Sequence, residues 1–303
     1  MVVGAMFFGL KFFKNSPPSL KGILCMLGGA LALTINDAMA KYLTQSYPVG
    51  QVMALRGLSI LILLMVFLFF INNLKALKIN SWRSHFLRAG TMTGSTVFFV
   101  TGLSFLPLAD AIAIAFIAPV LTTILGIVVL KETVSWQRWT AIIIGFCGVL
   151  IIVQPTGDAF KLAALAPLGA AAFGAARDVI TRAISISENS ISILFSSMLM
   201  VALAGFFTYP LGWNNLQLDH IWIFIVSGLL VGLAQYLMIE AFRLGKVAVI
   251  SPFKYSSLLW AILIGLLVWN DFPSKYVILG AIILILSGIY LLRDEVNSGG
   301  KNR

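Results

Sequence analysis

The feature that most constrains this chain is a pair of apolar runs between residues 106 and 155. The first run extends from Leu108 to Leu130 and the second from Trp139 to Val153, with a short polar turn that begins at Lys131 between them. A helix needs about 20 apolar residues to cross a hydrocarbon core of roughly 30 Å. The two runs therefore predict membrane-spanning helices.

Similar runs recur along the whole chain, so we predict an all-α integral membrane protein. Of the 303 residues, 60% are hydrophobic and only 11% are charged, whereas about a quarter of the residues in a soluble domain are charged. Ten transmembrane helices are predicted, at Gly22–Thr44, Val49–Asn72, Phe86–Leu106, Leu108–Leu130, Trp139–Val153, Ala163–Ala183, Ile191–Leu211, Ile221–Ala241, Val247–Trp269 and Val277–Leu292.

The second half of the chain repeats the first. An offset of 139 residues places Gly126 on Gly265, and an offset of 141 places Asp37 on Asp178. Each half then holds five predicted helices, and because five is an odd number the second copy must cross the membrane in the opposite orientation. The pattern predicts two inverted five-helix repeats, an arrangement found in many secondary transporters.

The distribution of basic residues predicts the orientation and the domain limits. With both termini in the cytoplasm, fifteen lysines and arginines, Arg88 among them, are assigned to the cytoplasmic side and three to the outer side. This bias follows the positive-inside rule, and it explains the net charge of +10 without a nucleic-acid partner. The predicted parts are a cytoplasmic N-terminal arm (1–21), a first repeat (22–155), a second repeat (163–292) and a cytoplasmic tail (293–303).

Several charged residues fall within the predicted helices, where charge is costly and commonly functional. The inverted repeat assigns them to two depths. The outer group is Asp37, Lys41 and Arg56, and the inner group is Asp178, Arg182, Glu240 and Lys254; Arg177 is a further basic residue within a span. We hypothesise that these groups orient a substrate or form gate ion pairs on either side of a central site. The alternatives are ion pairs that fix helix register, or side chains that reach the interface.

Polar and aromatic side chains near the middle of the membrane are further candidates for substrate binding. They are Asn36, Gln235, Tyr255 and Trp260. The faces of Tyr255 and Trp260 suit a flat or cationic substrate group, although both residue types also serve in ordinary packing. Pro119 and Pro252 lie within or at the start of apolar runs and predict kinks there.

No sequence motif for catalysis or metal binding is present. The chain has no HExxH, P-loop or G-x-S-x-G motif and no aspartate pair at metal-binding spacing. An intramembrane enzyme acting on lipid-linked substrates would need a catalytic cluster facing one membrane side. A receptor or structural protein would not require the antiparallel duplication. Both readings are therefore less favoured than a transporter.

Four segments carry a resemblance to a known family: INDAMAKYL (Ile35–Leu43), LPLADAIAIAFIAPV (Leu106–Val120), LKETVSWQRW (Leu130–Trp139) and SPFKYSSLLWAILIG (Ser251–Gly265). With these, the chain resembles the EamA branch of the drug/metabolite transporter superfamily from Leu20 to Leu292. The resemblance implies ten helices in two inverted repeats, a central site, a bacterial inner membrane and no bound cofactor.

Within that family the chain looks most like carriers that take up S-adenosylmethionine or riboflavin. We therefore expect a secondary transporter of a small organic metabolite that works by alternating access, with S-adenosylmethionine uptake as the leading assignment. Riboflavin uptake and export of amino acids or related metabolites are the alternatives. Lys254 would suit a carboxylate or phosphate on the substrate. The direction of transport, the coupling ion and the oligomeric state, with a homodimer as one option, stay open.

Overall fold

The computed structural model describes residues 17–105, 114–154, 164–269 and 273–299. These residues form helices and contain no β-strand. The α-helices are α1 (Pro18–Thr44), α2 (Val49–Phe70), α3 (Trp82–Phe105), α4 (Ala118–Leu130), α5 (Trp136–Val153), α6 (Leu165–Ile184), α7 (Ser190–Phe206), α8 (Ile221–Leu244), α9 (Val247–Ile250), α10 (Ser256–Trp269) and α11 (Lys275–Gly299). Short 3₁₀ helices occur at Leu74–Leu77, Tyr209–Leu211, Leu218–His220 and Ser251–Tyr255.

Seven helical segments are long and apolar enough to cross a membrane: Pro18–Thr44, Val49–Phe70, Trp136–Val153, Ser190–Leu211, Leu218–Leu244, Val247–Ile264 and Lys275–Asp294. The chain is thus a multi-pass membrane protein, and the count of ten spans stays a prediction. The predicted span Leu108–Leu130 is described only from residue 114, and its described helix, α4, has 13 residues. Helices α3 and α6 are not among the seven; they carry Arg88, Arg177 and Asp178.

Large apolar side chains face outward and polar ones face inward, as expected for a protein in lipid. Phe69 and Leu267 are 73% and 74% exposed. In contrast, the side chains of Asn36, Asp178 and Gln235 are buried. Since the hydrocarbon core offers no hydrogen-bond partner, polar groups within it must find partners inside the bundle.

The two halves of the chain pack against each other in matched pairs of helices. Helix α1 packs along α8, and its counterpart α6 packs along α3. The counterparts α2 and α7 are antiparallel, because Gly57 lies against Ala202 while Gly205 lies against Ala54. Helices α5 and α11 also pack together. This pairing, with equivalent helices running in opposite directions, is the geometry that an inverted repeat requires.

The predicted span Val247–Trp269 is not one continuous helix. It consists of α9, the 3₁₀ segment Ser251–Tyr255 and α10. Pro252 lies in the 3₁₀ segment, and proline disfavours a continuous α-helix because it has no N–H and its ring clashes with a preceding carbonyl. The break places Lys254 and Tyr255 inside the bundle.

Local chemistry explains where other helices begin. Helix α5 starts at Trp136, three residues before the predicted start, because the Ser135 hydroxyl accepts a hydrogen bond from the backbone N–H of Arg138 (3.4 Å). Helix α7 starts in the same way after Asn189, whose side chain accepts from the N–H of Ile191 (2.9 Å). Both caps satisfy N–H groups that have no partner within the helix.

Candidate functional site

An ion-paired group within the helix bundle is built around Asp178 of α6. Its carboxylate accepts hydrogen bonds from Nζ of Lys254 and from Nη2 and Nε of Arg177, at 3.0 and 3.2 Å. Only 2% of Asp178 is exposed. Asp178 and Lys254, two members of the predicted inner group, are thus in contact, and Arg177 joins them.

Arg88 of α3 also belongs to this group. It is 2% exposed, its Nε donates to the Thr181 hydroxyl (2.7 Å), and its Nη1 donates to the Ser197 hydroxyl. The sequence tally placed Arg88 among the basic residues of the cytoplasmic side, outside the spans; helix packing instead encloses its side chain within the bundle. A sequence signal existed: Arg88 and Ser95 are seven residues apart, thus on one helix face, and Ser95 also bonds to α6 through the carbonyl of Ala170 (2.9 Å).

A cavity lies beside these residues. It is lined by Arg88, Arg177, Asp178, Thr181, Gln235, Met238, Ile239 and Phe242, and its free space is about that of a single water molecule. Gln235 is 5% exposed, and in the described part of the chain no hydrogen bond reaches its amide. Ligand pockets are far larger, commonly about 300–1,000 Å³, so a substrate group enters only when the helices around this cavity separate.

Two predicted members of the inner group lie elsewhere. Nη1 of Arg182 donates to the carbonyls of Phe242 (3.0 Å) and Arg243 (2.6 Å) at the end of α8. Glu240 accepts a hydrogen bond from the Ser190 hydroxyl and lies 3.7 Å from Nη1 of Arg243. The single inner group predicted from the sequence is therefore divided, because these side chains satisfy the ends of helices rather than Asp178.

The outer group is less completely paired. Asn36 accepts a hydrogen bond from the Ser227 hydroxyl (2.9 Å) and donates one to Asp37 (3.1 Å). Asp37 is exposed. Arg56 attracts Asp37 electrostatically, but its Nε is buried without a hydrogen-bond partner among the described residues. The side chain of Lys41 lies outside the described part.

The two groups occupy equivalent helices of the two halves. The inner group joins α6, α3 and α7, and the outer group joins their counterparts α1, α8 and α2. The offset of 141 that places Asp37 on Asp178 also places Arg56 on Ser197, the hydroxyl that Arg88 contacts. Each half thus presents an aspartate with an arginine nearby, although the two arginines lie on helices that are not equivalent, α2 and α3.

The two aromatic candidates have different surroundings. The ring of Tyr255 is buried 5.9 Å from that of Phe116, and its hydroxyl has no partner in the described residues. Nε1 of Trp260 donates to the carbonyl of Leu27 (3.2 Å) and so links α10 to α1. A role for either ring in substrate stacking stays a prediction.

Comparison with known proteins agrees with this architecture. The model of the EamA-like transporter family matches twice, at residues 20–154 and 161–293. An S-adenosylmethionine uptake transporter from Rickettsia prowazekii is 26% identical over 92% of this chain and 95% of its own length. A riboflavin transporter from Vibrio cholerae is 25% identical over 96% of this chain and 98% of its own.

A solved crystal structure at 17% identity has a TM-score of 0.78 and covers 91% of this chain and 96% of its own, which shows the shared fold. With both halves matched by the family model, the chain belongs to the EamA-like transporter family.

Proposed function

We propose that this protein is a secondary transporter that moves a small organic metabolite across the bacterial inner membrane by alternating access. S-adenosylmethionine uptake is the leading assignment. The observation that carries the proposal is the pair of equivalent charged groups, around Asp37 and around Asp178, inside an apolar helix bundle. Relatives named for S-adenosylmethionine and riboflavin transport support the substrate class.

The unequal exposure of the two aspartates supports alternating access. Asp37 and Asp178 are equivalent in the repeat, yet Asp37 is exposed while Asp178 is buried and paired with Lys254. An inverted repeat can exchange the conformations of its two halves, which moves access from one side of the membrane to the other. In the proposed cycle this structure is closed at the inner group and open at the outer one.

The test is uptake of radiolabelled S-adenosylmethionine by bacterial cells that express the protein. We expect saturable uptake that S-adenosylhomocysteine inhibits and that Asp37→Asn abolishes. Asp219→Asn is the matched control, because Asp219 is an exposed residue of the Leu218–His220 segment and its substitution should leave uptake intact. Normal uptake by Asp37→Asn, with equal amounts of protein in the membrane, would contradict the role of the outer group.

Riboflavin is the second candidate, favoured by the buried Tyr255 ring and the partly buried Phe116 ring beside the break in the ninth predicted span. A flat isoalloxazine can stack on such rings. Radiolabelled riboflavin in the same cells separates the two substrates: uptake of riboflavin that excess S-adenosylmethionine does not inhibit would replace the leading assignment.

A further inference from the structure

The group around Asp178 has more positive than negative charge. Arg88, Arg177 and Lys254 surround the single carboxylate of Asp178. The hydrogen bonds of Arg88 go to the neutral hydroxyls of Thr181 and Ser197. Even if Lys254 were neutral, two arginines would face one carboxylate, because arginine does not lose its proton in proteins. Uncompensated charge is costly inside a membrane.

Three donors of this group are unused next to the cavity. In the described chain, no hydrogen bond is formed by Nη2 of Arg88, by Nη1 of Arg177 or by the amide of Gln235, and all three residues line the cavity. Gln235 and Arg88 are more than nine-tenths buried. Donors that line a cavity and have no partner within the protein are available to an acceptor that enters it.

We infer that this cavity binds an anionic group of the transported substrate, a carboxylate or a phosphate, and that Arg88 and Arg177 are the residues that bind it. Guanidinium groups match the planar geometry of a carboxylate and also bind phosphate oxygens. The bound anion supplies the negative charge that the group lacks.

This inference rests on the proposed transport function and narrows its substrate class to organic acids. S-adenosylmethionine meets the requirement through its carboxylate. Riboflavin has no acidic group, whereas its phosphate ester, FMN, has one. We therefore expect the protein to prefer S-adenosylmethionine to its decarboxylated analogue and FMN to riboflavin.

The experiment measures ligand binding to the purified full-length protein in detergent. The probes are S-adenosylmethionine, its decarboxylated analogue, riboflavin and FMN. A second measurement compares the melting temperature of the protein in sodium acetate or sodium phosphate with that in sodium chloride at equal ionic strength. We expect the acid of at least one pair to bind 10-fold to 100-fold more tightly than its non-acid partner, about the contribution of one charge-assisted hydrogen-bonded contact.

Variants identify which arginine produces the preference for the acidic ligand. Arg88→Gln should reduce the preference for the acidic member to less than about 3-fold, while Arg88→Lys, which keeps the charge, should retain part of it. Arg177→Gln provides a second test if Arg88→Gln folds poorly. Arg138→Gln is the matched control, because Arg138 pairs with Asp294 (2.9 Å) away from the cavity, and it should leave the preference unchanged.

The outcomes separate this inference from the assignment of the substrate. Binding of FMN but not of S-adenosylmethionine would support the anion site and overturn the leading substrate. Equal binding of S-adenosylmethionine and its decarboxylated analogue, with equal binding of FMN and riboflavin, would overturn the anion site and leave the transport function intact. If no acid binds and neither acetate nor phosphate raises the melting temperature above its value in chloride, the inference is wrong.

Discussion

The carboxylate of Glu188 lies 2.7 Å from the backbone nitrogen of Ser81 and accepts its hydrogen bond. The same carboxylate accepts from the N–H of Asn80 (3.1 Å) and lies 3.4 Å from Nε2 of His85. The loop between α6 and α7 therefore caps the start of α3. This contact holds the end of α6, which carries Asp178, next to the helix that carries Arg88.

Glu188→Gln should destabilise the protein most at neutral pH. Burial tends to raise the pKa of Glu188, but the N–H groups of Asn80 and Ser81, together with His85, outweigh it and lower the pKa. Because the pKa is lowered in the folded state, the carboxylate stabilises the fold above its ordinary pKa of about 4.3 and loses that contribution as the pH falls through the lowered value.

We expect a loss of about 1–3 kcal/mol at pH 7 for this variant. Melting temperatures of the wild type and the variant should differ by a constant amount from pH 7 to about pH 4.3 and converge only as the pH falls further, so the measurement extends to about pH 3. A difference that does not change with pH would contradict a role for the ionised carboxylate.

Glu132→Gln should have the opposite pH dependence. Glu132 lies between α4 and α5, and its carboxylate accepts a hydrogen bond from the N–H of Val247 (3.4 Å). The same carboxylate lies 3.9 Å from Nε of Arg182. Burial raises its pKa despite these partners. The stabilising contribution of Glu132 is thus complete below its ordinary pKa and is lost as the pH rises through the raised value.

The neutral amide should therefore raise stability at pH 7, by up to about 1 kcal/mol, and the advantage should vanish near pH 4. Thermal unfolding of both proteins across this range is the measurement. A variant that is less stable than the wild type at pH 7 would show that the contact with Arg182 outweighs burial of the charge.

Asp178→Asn should be among the most destabilising substitutions in the chain. It leaves Lys254 and Arg177 opposite a neutral side chain, and removal of one partner from a buried ion pair costs about 3–5 kcal/mol. Adding Lys254→Met removes one of the stranded charges and should recover part of the loss. Thermal stability of the two single variants and the double variant measures the coupling, and additive effects would mean that the pair is not coupled.

Gly205→Ala should weaken the packing of α7 on α2. A Cβ atom at Gly205 would lie 2.6 Å from the backbone nitrogen of Ala54 and 2.6 Å from the carbonyl oxygen of Gly50, so the two helices would have to separate, at a cost of about 1–3 kcal/mol. Gly90→Ala is the control, because a Cβ there has no neighbour within 4 Å. Equal melting temperatures for the two variants would contradict the close helix contact.

Sequence periodicity predicted the helices well because long apolar runs have few alternatives in a membrane. The break in the predicted span Val247–Trp269 was less visible. Pro252 indicated a kink, but the 3₁₀ segment that places Lys254 and Tyr255 in the interior also depends on packing against α4 and α1. For Trp260, the bond to the carbonyl of Leu27 joins residues 233 positions apart, a contact that no local pattern contains.

The sequence by itself determined the membrane-spanning character, the internal repeat and the equivalence of Asp37 and Asp178, because these follow from composition and from a fixed offset along the chain. The tertiary structure decided which charges meet. Arg88 and Arg182 are both basic residues near the end of a predicted span, yet packing of α3 on α6 encloses the first beside Asp178, while the second binds the free carbonyls at the end of α8. Charge pairing across a bundle depends on which helix faces are in contact, and that is fixed only when all the helices pack together.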